Sequence, residues 1–119
     1  NMRILLTCCL GMSTSLLVEM MNEACKKQGK SHKIWCVDEN LVDCSVMQCD
    51  ILLLGPQLKH VYKRFYKSYG KIVPIAMIDQ QDYGLLDGEK VLEKAERIYN
   101  EFHRNGNYID VKANEEEQT

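Results

Sequence analysis

Apolar residues in this chain gather into short runs separated by longer amphipathic stretches. Residues 3–7 and 50–54 carry the runs Ile4-Leu5-Leu6 and Ile51-Leu52-Leu53-Leu54. Continuous apolar runs of this length are expected of strands covered on both faces. Two further strands are predicted. The mixed run Lys33-Ile34-Trp35-Cys36-Val37 suits a less enclosed position, and the last spans residues 72–78. Pro74 lacks the N–H that a central strand would use, which puts the 72–78 strand at a sheet edge.

The intervening stretches follow the helical period. Leu17, Met20, Met21 and Ala24 share one face, with Glu19, Glu23 and Lys27 opposite, and Gly29 ends that helix. A short helical turn near residues 40–47 joins the second strand to the third. Leu58, Val61, Tyr62, Phe65 and Tyr69 mark a helix closed by Gly70, and Val91, Leu92, Ala95, Ile98, Tyr99 and Phe102 mark another. Alternating strands and helices call for parallel βαβ units. Right-handed crossovers with two central strands then give an α/β fold: a single four-stranded parallel sheet, order 2-1-3-4, with helices on both faces. From Asn105 to Glu115-Glu116-Glu117 the chain is polar, so the division is one domain over residues 2–104 and a polar C-terminal tail over 105–119.

Composition narrows the function classes. With 119 residues and a net charge of −2, one domain is expected, with no pull toward nucleic acid or a membrane surface. No apolar run approaches the ~20 residues that span a bilayer, so no membrane insertion is expected. Residues 4–6 are too short for a signal sequence, and Asn1 before Met2 reads as a cloning remnant. The six cysteines include no pair of C-x-x-C motifs, and His32, His60 and His103 are scattered, so no metal is expected. Cysteines outside disulfides mostly pack as small apolar groups, which points to a reducing cytoplasm.

One cysteine stands apart. Ligands of open α/β sheets sit beyond the carboxyl ends of the strands where strand order reverses, here between the first and third strands. Cys8 ends the first strand, and Gly55-Pro56-Gln57 follows the third. After Cys8 come Cys9-Leu10-Gly11-Met12-Ser13-Thr14-Ser15, and then a helix. Such a loop can aim backbone N–H groups and the positive end of a helix dipole at one point, which suits a thiolate, a phosphate or a phosphate bonded to sulfur. Gly11 permits tight curvature, and Ser13, Thr14 and Ser15 add hydroxyls that can cap the helix or donate to phosphate oxygens.

Residues 8–15 contain no Arg, Lys, His, Asp or Glu, and Thr14 occupies the position where a C-x5-R phosphatase loop carries its guanidinium. Without that clamp, water should attack a phosphocysteine slowly. From spacing alone Cys8 reads equally as a packing residue. Cys9 reads as packing, with the capacity to form a disulfide on oxidation. Asp79 and Asp82 could imitate a phosphatase acid, a role a carrier does not need. Lys59, Lys63, Arg64, Lys67 and His60 read as solvated surface.

Cys8-Cys9-Leu10-Gly11-Met12-Ser13-Thr14-Ser15-Leu16-Leu17 resembles the active-site loop of enzyme IIB of the bacterial sugar phosphotransferase system, lactose/cellobiose class, cellobiose/chitobiose branch. Leu53-Leu54-Gly55-Pro56-Gln57 matches that family's motif after the third strand. Ile78-Asp79, Tyr83-Gly84 and Asp87-Gly88 match the segment after the fourth, and the likeness spans roughly residues 2–102. The resemblance implies that Cys8 is phosphorylated from phosphohistidine on a IIA protein and passes the group to a sugar carried by a membrane IIC protein, the sugar being a β-linked disaccharide such as cellobiose or chitobiose. It implies a phosphate cradle at Cys9, Leu10, Gly11, Met12, Ser13, Thr14 and Ser15, contacts from Gln57 and Tyr83 to the loop or a partner, no cofactor, and a cytoplasmic location. Cys9 and Leu10 depart from smaller residues common there.

Two other classes share the loop type. One is a low-molecular-weight phosphatase-like or thiol-reductase enzyme, against which Thr14 in place of Arg argues. The other is a flavodoxin-like electron carrier, which would bind FMN. A response-regulator reading fails because Asp50 begins the third strand instead of ending it.

Overall fold

The computed structural model describes residues 1–9 and 12–106, so Leu10, Gly11 and most of the 105–119 tail lie outside the described residues. Four strands, β1 (Arg3–Cys8), β2 (Lys33–Asp38), β3 (Ile51–Leu54) and β4 (Ile75–Met77), form one parallel sheet in the order β2-β1-β3-β4. The sheet has the order that the strand pattern dictated. Ile4 pairs with Ile34 on one side and Ile51 on the other, and Cys8 lies opposite Asp38. β1 and β3 are buried almost throughout, as central strands covered on both faces must be, whereas β2 at the edge is only half-buried beyond Ile34.

Successive side chains alternate between two cores. Ile4, Leu6, Ile51 and Leu53 face α1 (Met12–Lys27) and α5 (Gly88–Arg104), where Leu17, Met21, Leu92 and Ile98 meet them. Leu5, Leu52 and Leu54 face the opposite layer, made by α2 (Val42–Ser45) and α3 (Tyr62–Tyr69), where they meet Val42, Leu58 and Phe65. α1 buries Cys25 beside Leu17, Met21 and Ala24, while Met20 is half-buried. Gly29 ends it at φ +68°, with Lys30 N–H bonded to the Cys25 carbonyl (3.0 Å) and Gly29 N–H to that of Lys26 (3.1 Å). That paired closure needs a left-handed residue, which glycine adopts without steric cost.

Three elements depart from the periodicity. The fourth strand is only Ile75–Met77, because Ile72 and Val73 N–H groups bond back to the Tyr69 carbonyl and finish α3 instead of joining the sheet. Pro74 stands just before that edge strand, and its carbonyl accepts from Leu52 N–H at 3.0 Å. The helix over Leu58–Tyr69 is split: Pro56–Val61 is a 3₁₀ turn with Leu58 off helical angles, and the α-helix starts at Tyr62. A short helix absent from the periodicity, α4 (Gln80–Gly84), intervenes before α5. Residues 40–47 form the expected helical turn, α2 flanked by 3₁₀ turns.

At the amino end of the sheet the layers are tied by charge. Asp50 accepts from the Arg3 backbone N–H at 2.7 Å and pairs with its guanidinium at 3.0 Å. Glu96 of α5 pairs with Lys30 at 2.8 Å and His32 at 2.9 Å.

Candidate active site at the end of the first strand

Backbone pairing brings the chemistry together. Gly55 N–H bonds to the Thr7 carbonyl at 2.9 Å, extending the β1–β3 ladder by one step and setting Gly55 against Cys8. A Cβ built on Gly55 would lie 3.5 Å from the Thr7 carbonyl oxygen and 3.4 Å from Cys8 Sγ. Pro56 starts the 3₁₀ turn, its missing N–H costing nothing there, and Gln57 is carried back over the strand end. The Cys8 S–H donates to Gln57 Oε1 across 3.4 Å.

The third wall comes from β4. Asp79 caps α4, accepting from the N–H groups of Gln81 (2.9 Å) and Asp82 (3.1 Å). The helix then delivers Tyr83 inward, its hydroxyl 3.6 Å from Cys8 Sγ and 3.1 Å from the Thr14 hydroxyl. Burial pushes the Tyr83 phenol above its ordinary value, so it is a neutral hydroxyl at physiological pH. α4 ends on Leu86 at φ +52°, a position glycine usually fills, and Leu86 packs against the core between the sheet and α1 and α5.

Cys8 is 2% exposed. Among the contacts described, its sulfur meets the Gln57 amide and the Tyr83 phenol. Of the expected cradle, Leu10 and Gly11 lie outside the described residues, and Met12 opens α1. Thr14 is buried and turned toward Tyr83. Ser13 and Ser15 are exposed, and the Ser15 hydroxyl lies 3.7 Å from Cys36 Sγ. Cys9 is half-buried and packs on the α3 side of the sheet, its thiol pushed up by burial and then by the neighbouring Cys8. No disulfide joins the cysteines.

Gln57 and Tyr83 thus both reach Cys8. Asp79 is taken up as a helix cap. Asp82 is raised by burial and by Asp79, and neither carboxylate is bonded to Cys8 in the contacts described. Lys59, His60, Lys63, Arg64 and Lys67 are exposed. Among the described residues no cluster of His, Cys, Asp and Glu could hold a metal ion, and no helix is long and apolar enough to cross a membrane. The Thr14–Tyr83 link escaped the sequence reading, because neither residue type nor spacing pairs positions so far apart.

A single parallel sheet of order 2-1-3-4 with a cysteine ending its first strand, at the switch point of the strand order, defines an open α/β protein. Residues 3–94 match the profile of the PTS system lactose/cellobiose-specific IIB subunit, and the chain belongs to that family. It is 39% identical over 103 residues to the galactose-specific EIIB component of Lactococcus lactis subsp. cremoris, covering 82% of this chain and 95% of that protein. It is 35% identical to the oligo-beta-mannoside-specific EIIB component of Bacillus subtilis, covering 78% of this chain and 91% of that one. The solution structure of a cellobiose-specific IIB component from Borrelia burgdorferi superposes with a TM-score of 0.72 at 37% identity, over 84% of this chain and 93% of that one. A lactose-specific IIB domain from Streptococcus pneumoniae shares the fold at a TM-score of 0.72 and 16% identity, over 83% and 98% of the two chains. IIB components are phosphotransferase subunits of sugar transport.

Proposed function

We propose that Cys8 is the residue that carries the phosphoryl group. Its sulfur attacks the phosphorus of a phosphohistidine on a IIA partner. The S–P bond forms as the N–P bond breaks, and the thiol proton ends on the released imidazole nitrogen. In the second transfer a hydroxyl oxygen of a sugar held by a membrane IIC partner attacks the phosphorus, and the hydroxyl proton passes to sulfur. This reading places the protein on the cytoplasmic side of the membrane. The acceptor is taken to be a β-linked disaccharide such as cellobiose or chitobiose, a class in keeping with the cellobiose-specific IIB component of Borrelia burgdorferi that the chain resembles.

One observation carries the reading: the Cys8 sulfur sits at the switch point beside groups that are neutral but can either donate or accept, Gln57 and Tyr83. A sulfur that alternates between S–H and a phosphoryl dianion needs such neighbours. A fixed cation would hold the dianion too firmly or activate it toward water, and a fixed anion would repel it. The loop from Cys8 to Ser15 supplies neither. Residues 9–15 are assigned as the phosphate cradle, with Thr14 the hydroxyl turned inward.

Incubation with phosphoenolpyruvate, the general phosphotransferase proteins and a cognate IIA tests this by intact mass. One added phosphoryl group is expected on the wild type and none on Cys8→Ser. Undiminished uptake by Cys8→Ser would refute the assignment. Transfer from the phosphorylated protein to a panel of disaccharides, with membranes containing IIC, tests the sugar class.

A further inference from the structure

We propose that Gln57 is a positioning residue for phosphoryl transfer, its side-chain amide holding the resting thiol through Oε1 and, after rotation, the phosphorylated sulfur through Nε2. The inference rests on the assignment of Cys8 as carrier and concerns how that one site serves two chemical states.

The resting arrangement is explicit. Gln57 Oε1 accepts the Cys8 S–H at 3.4 Å. On phosphorylation the sulfur loses its proton and gains three acceptor oxygens. An amide oxygen facing them would then be repelled. A half-turn of the terminal amide replaces that oxygen with an NH2 donor while the rest of the side chain stays in place. A carboxylate can serve only the thiol and an ammonium only the phosphoryl group, whereas an amide serves both.

Space and access favour the same residue. Cys8 is 2% exposed, so a phosphorylated donor reaches the sulfur only if a covering group moves. Gln57 is an exposed side chain, while Tyr83 is buried and tied to Thr14. A cavity of about 420 Å³ opens beside the two, lined by Pro56, Gln57, Lys59, Gln80 and Tyr83, and gives the amide room to withdraw. Gly55 completes the device, because a Cβ there would stand 2.9 Å from Gln57 Oε1.

The test compares wild type, Gln57→Leu and Gln57→Glu for the equilibrium of phosphoryl transfer from phosphorylated IIA, read by intact mass over a series of donor ratios. In parallel, the wild-type side-chain amide signal of Gln57 is followed by ¹⁵N NMR through phosphorylation. One hydrogen bond to a charged group corresponds to roughly a 10-fold change, so Gln57→Leu should shift the equilibrium toward the donor by about that factor. Gln57→Glu should shift it further, with a smaller deficit at mildly acidic pH, where the introduced carboxyl regains a donor proton. The wild-type amide signal should move on phosphorylation. Equal equilibria in the three proteins, or an amide signal that phosphorylation leaves unchanged, would overturn the role of Gln57 while leaving Cys8 as carrier. No uptake by the wild type would overturn both. If a variant fails to fold, the wild-type amide signal decides.

Discussion

A side chain at Gly55 would put its first carbon 2.9 Å from the amide oxygen of Gln57 and 3.4 Å from the Cys8 sulfur. The clash at Gln57 is with the tip of a flexible side chain, so it is relieved by displacing that tip. Gly55→Ala should therefore change stability by no more than about 1 kcal/mol, the scale of one neutral hydrogen bond. It should also uncover the thiol. Faster alkylation at Cys8, measured by peptide mass against the exposed Cys44 as internal reference, is the expected outcome. An unchanged rate would mean that Gln57 does not cover the sulfur.

Thr14 and Tyr83 share a buried hydrogen bond of 3.1 Å. Tyr83→Phe removes one partner and strands the other, at an expected cost of about 1–3 kcal/mol. Replacing both, Tyr83→Phe with Thr14→Val, should cost less than the sum of the single changes. Chemical denaturation of the four proteins forms the cycle, and strict additivity would show the pair to be uncoupled.

Two glycines flanking the α4–α5 turn should respond in opposite directions. A Cβ at Gly88 would fall 2.4 Å from the Met20 carbonyl carbon and 2.6 Å from Met21 N, where α5 crosses α1, and backbone cannot step aside as a side chain can. Gly88→Ala should destabilise by about 1–3 kcal/mol or more. A Cβ at Gly84 would meet nothing within 4 Å, and the residue is helical. Gly84→Ala should be neutral or stabilising by up to about 1 kcal/mol. Thermal melts of the two variants check both signs.

Acid should loosen the amino end of the sheet. The hydrogen bond from Arg3 holds the Asp50 carboxyl below its ordinary 3.8. Burial pulls Glu96 upward, but the bonds from Lys30 and His32 outweigh it and leave the group below its ordinary 4.5. A carboxyl depressed by folding stabilises fully above its unfolded value, and the gain is lost as pH falls through the folded one. Asp50→Asn and Glu96→Gln should therefore show their whole deficit at neutral pH and begin to converge on the wild type only as the pH falls below about 4. Both pairs are partly exposed, so the deficits should be modest and should shrink with salt.

The sheet order was legible because runs such as Ile51–Leu54 and the proline before Ile75 encode burial and edge position directly. The true extent of β4 was not. Ile72 and Val73 are apolar, but their N–H groups are consumed by the Tyr69 carbonyl, a competition composition does not reveal. α4 is only five residues long, too short to show a period, although Asp79 ahead of it carries the chemistry of a cap. Cys8 and the Gly55-Pro56-Gln57 turn could be placed together from topology. The contacts of Gln57 and Tyr83 with the sulfur depend on side-chain reach across separate loops, so the structure was needed to find them.

The central claim is that phosphate rides on one sulfur, and ³¹P NMR of the protein phosphorylated through IIA tests it most directly, because S–P, N–P and O–P linkages resonate apart. A single resonance of a thiol phosphate, absent from Cys8→Ser and discharged when sugar and IIC-containing membranes are added, is the expected result. A phosphoramidate resonance that maps to His60, or a thiol phosphate that survives Cys8→Ser, would contradict the account.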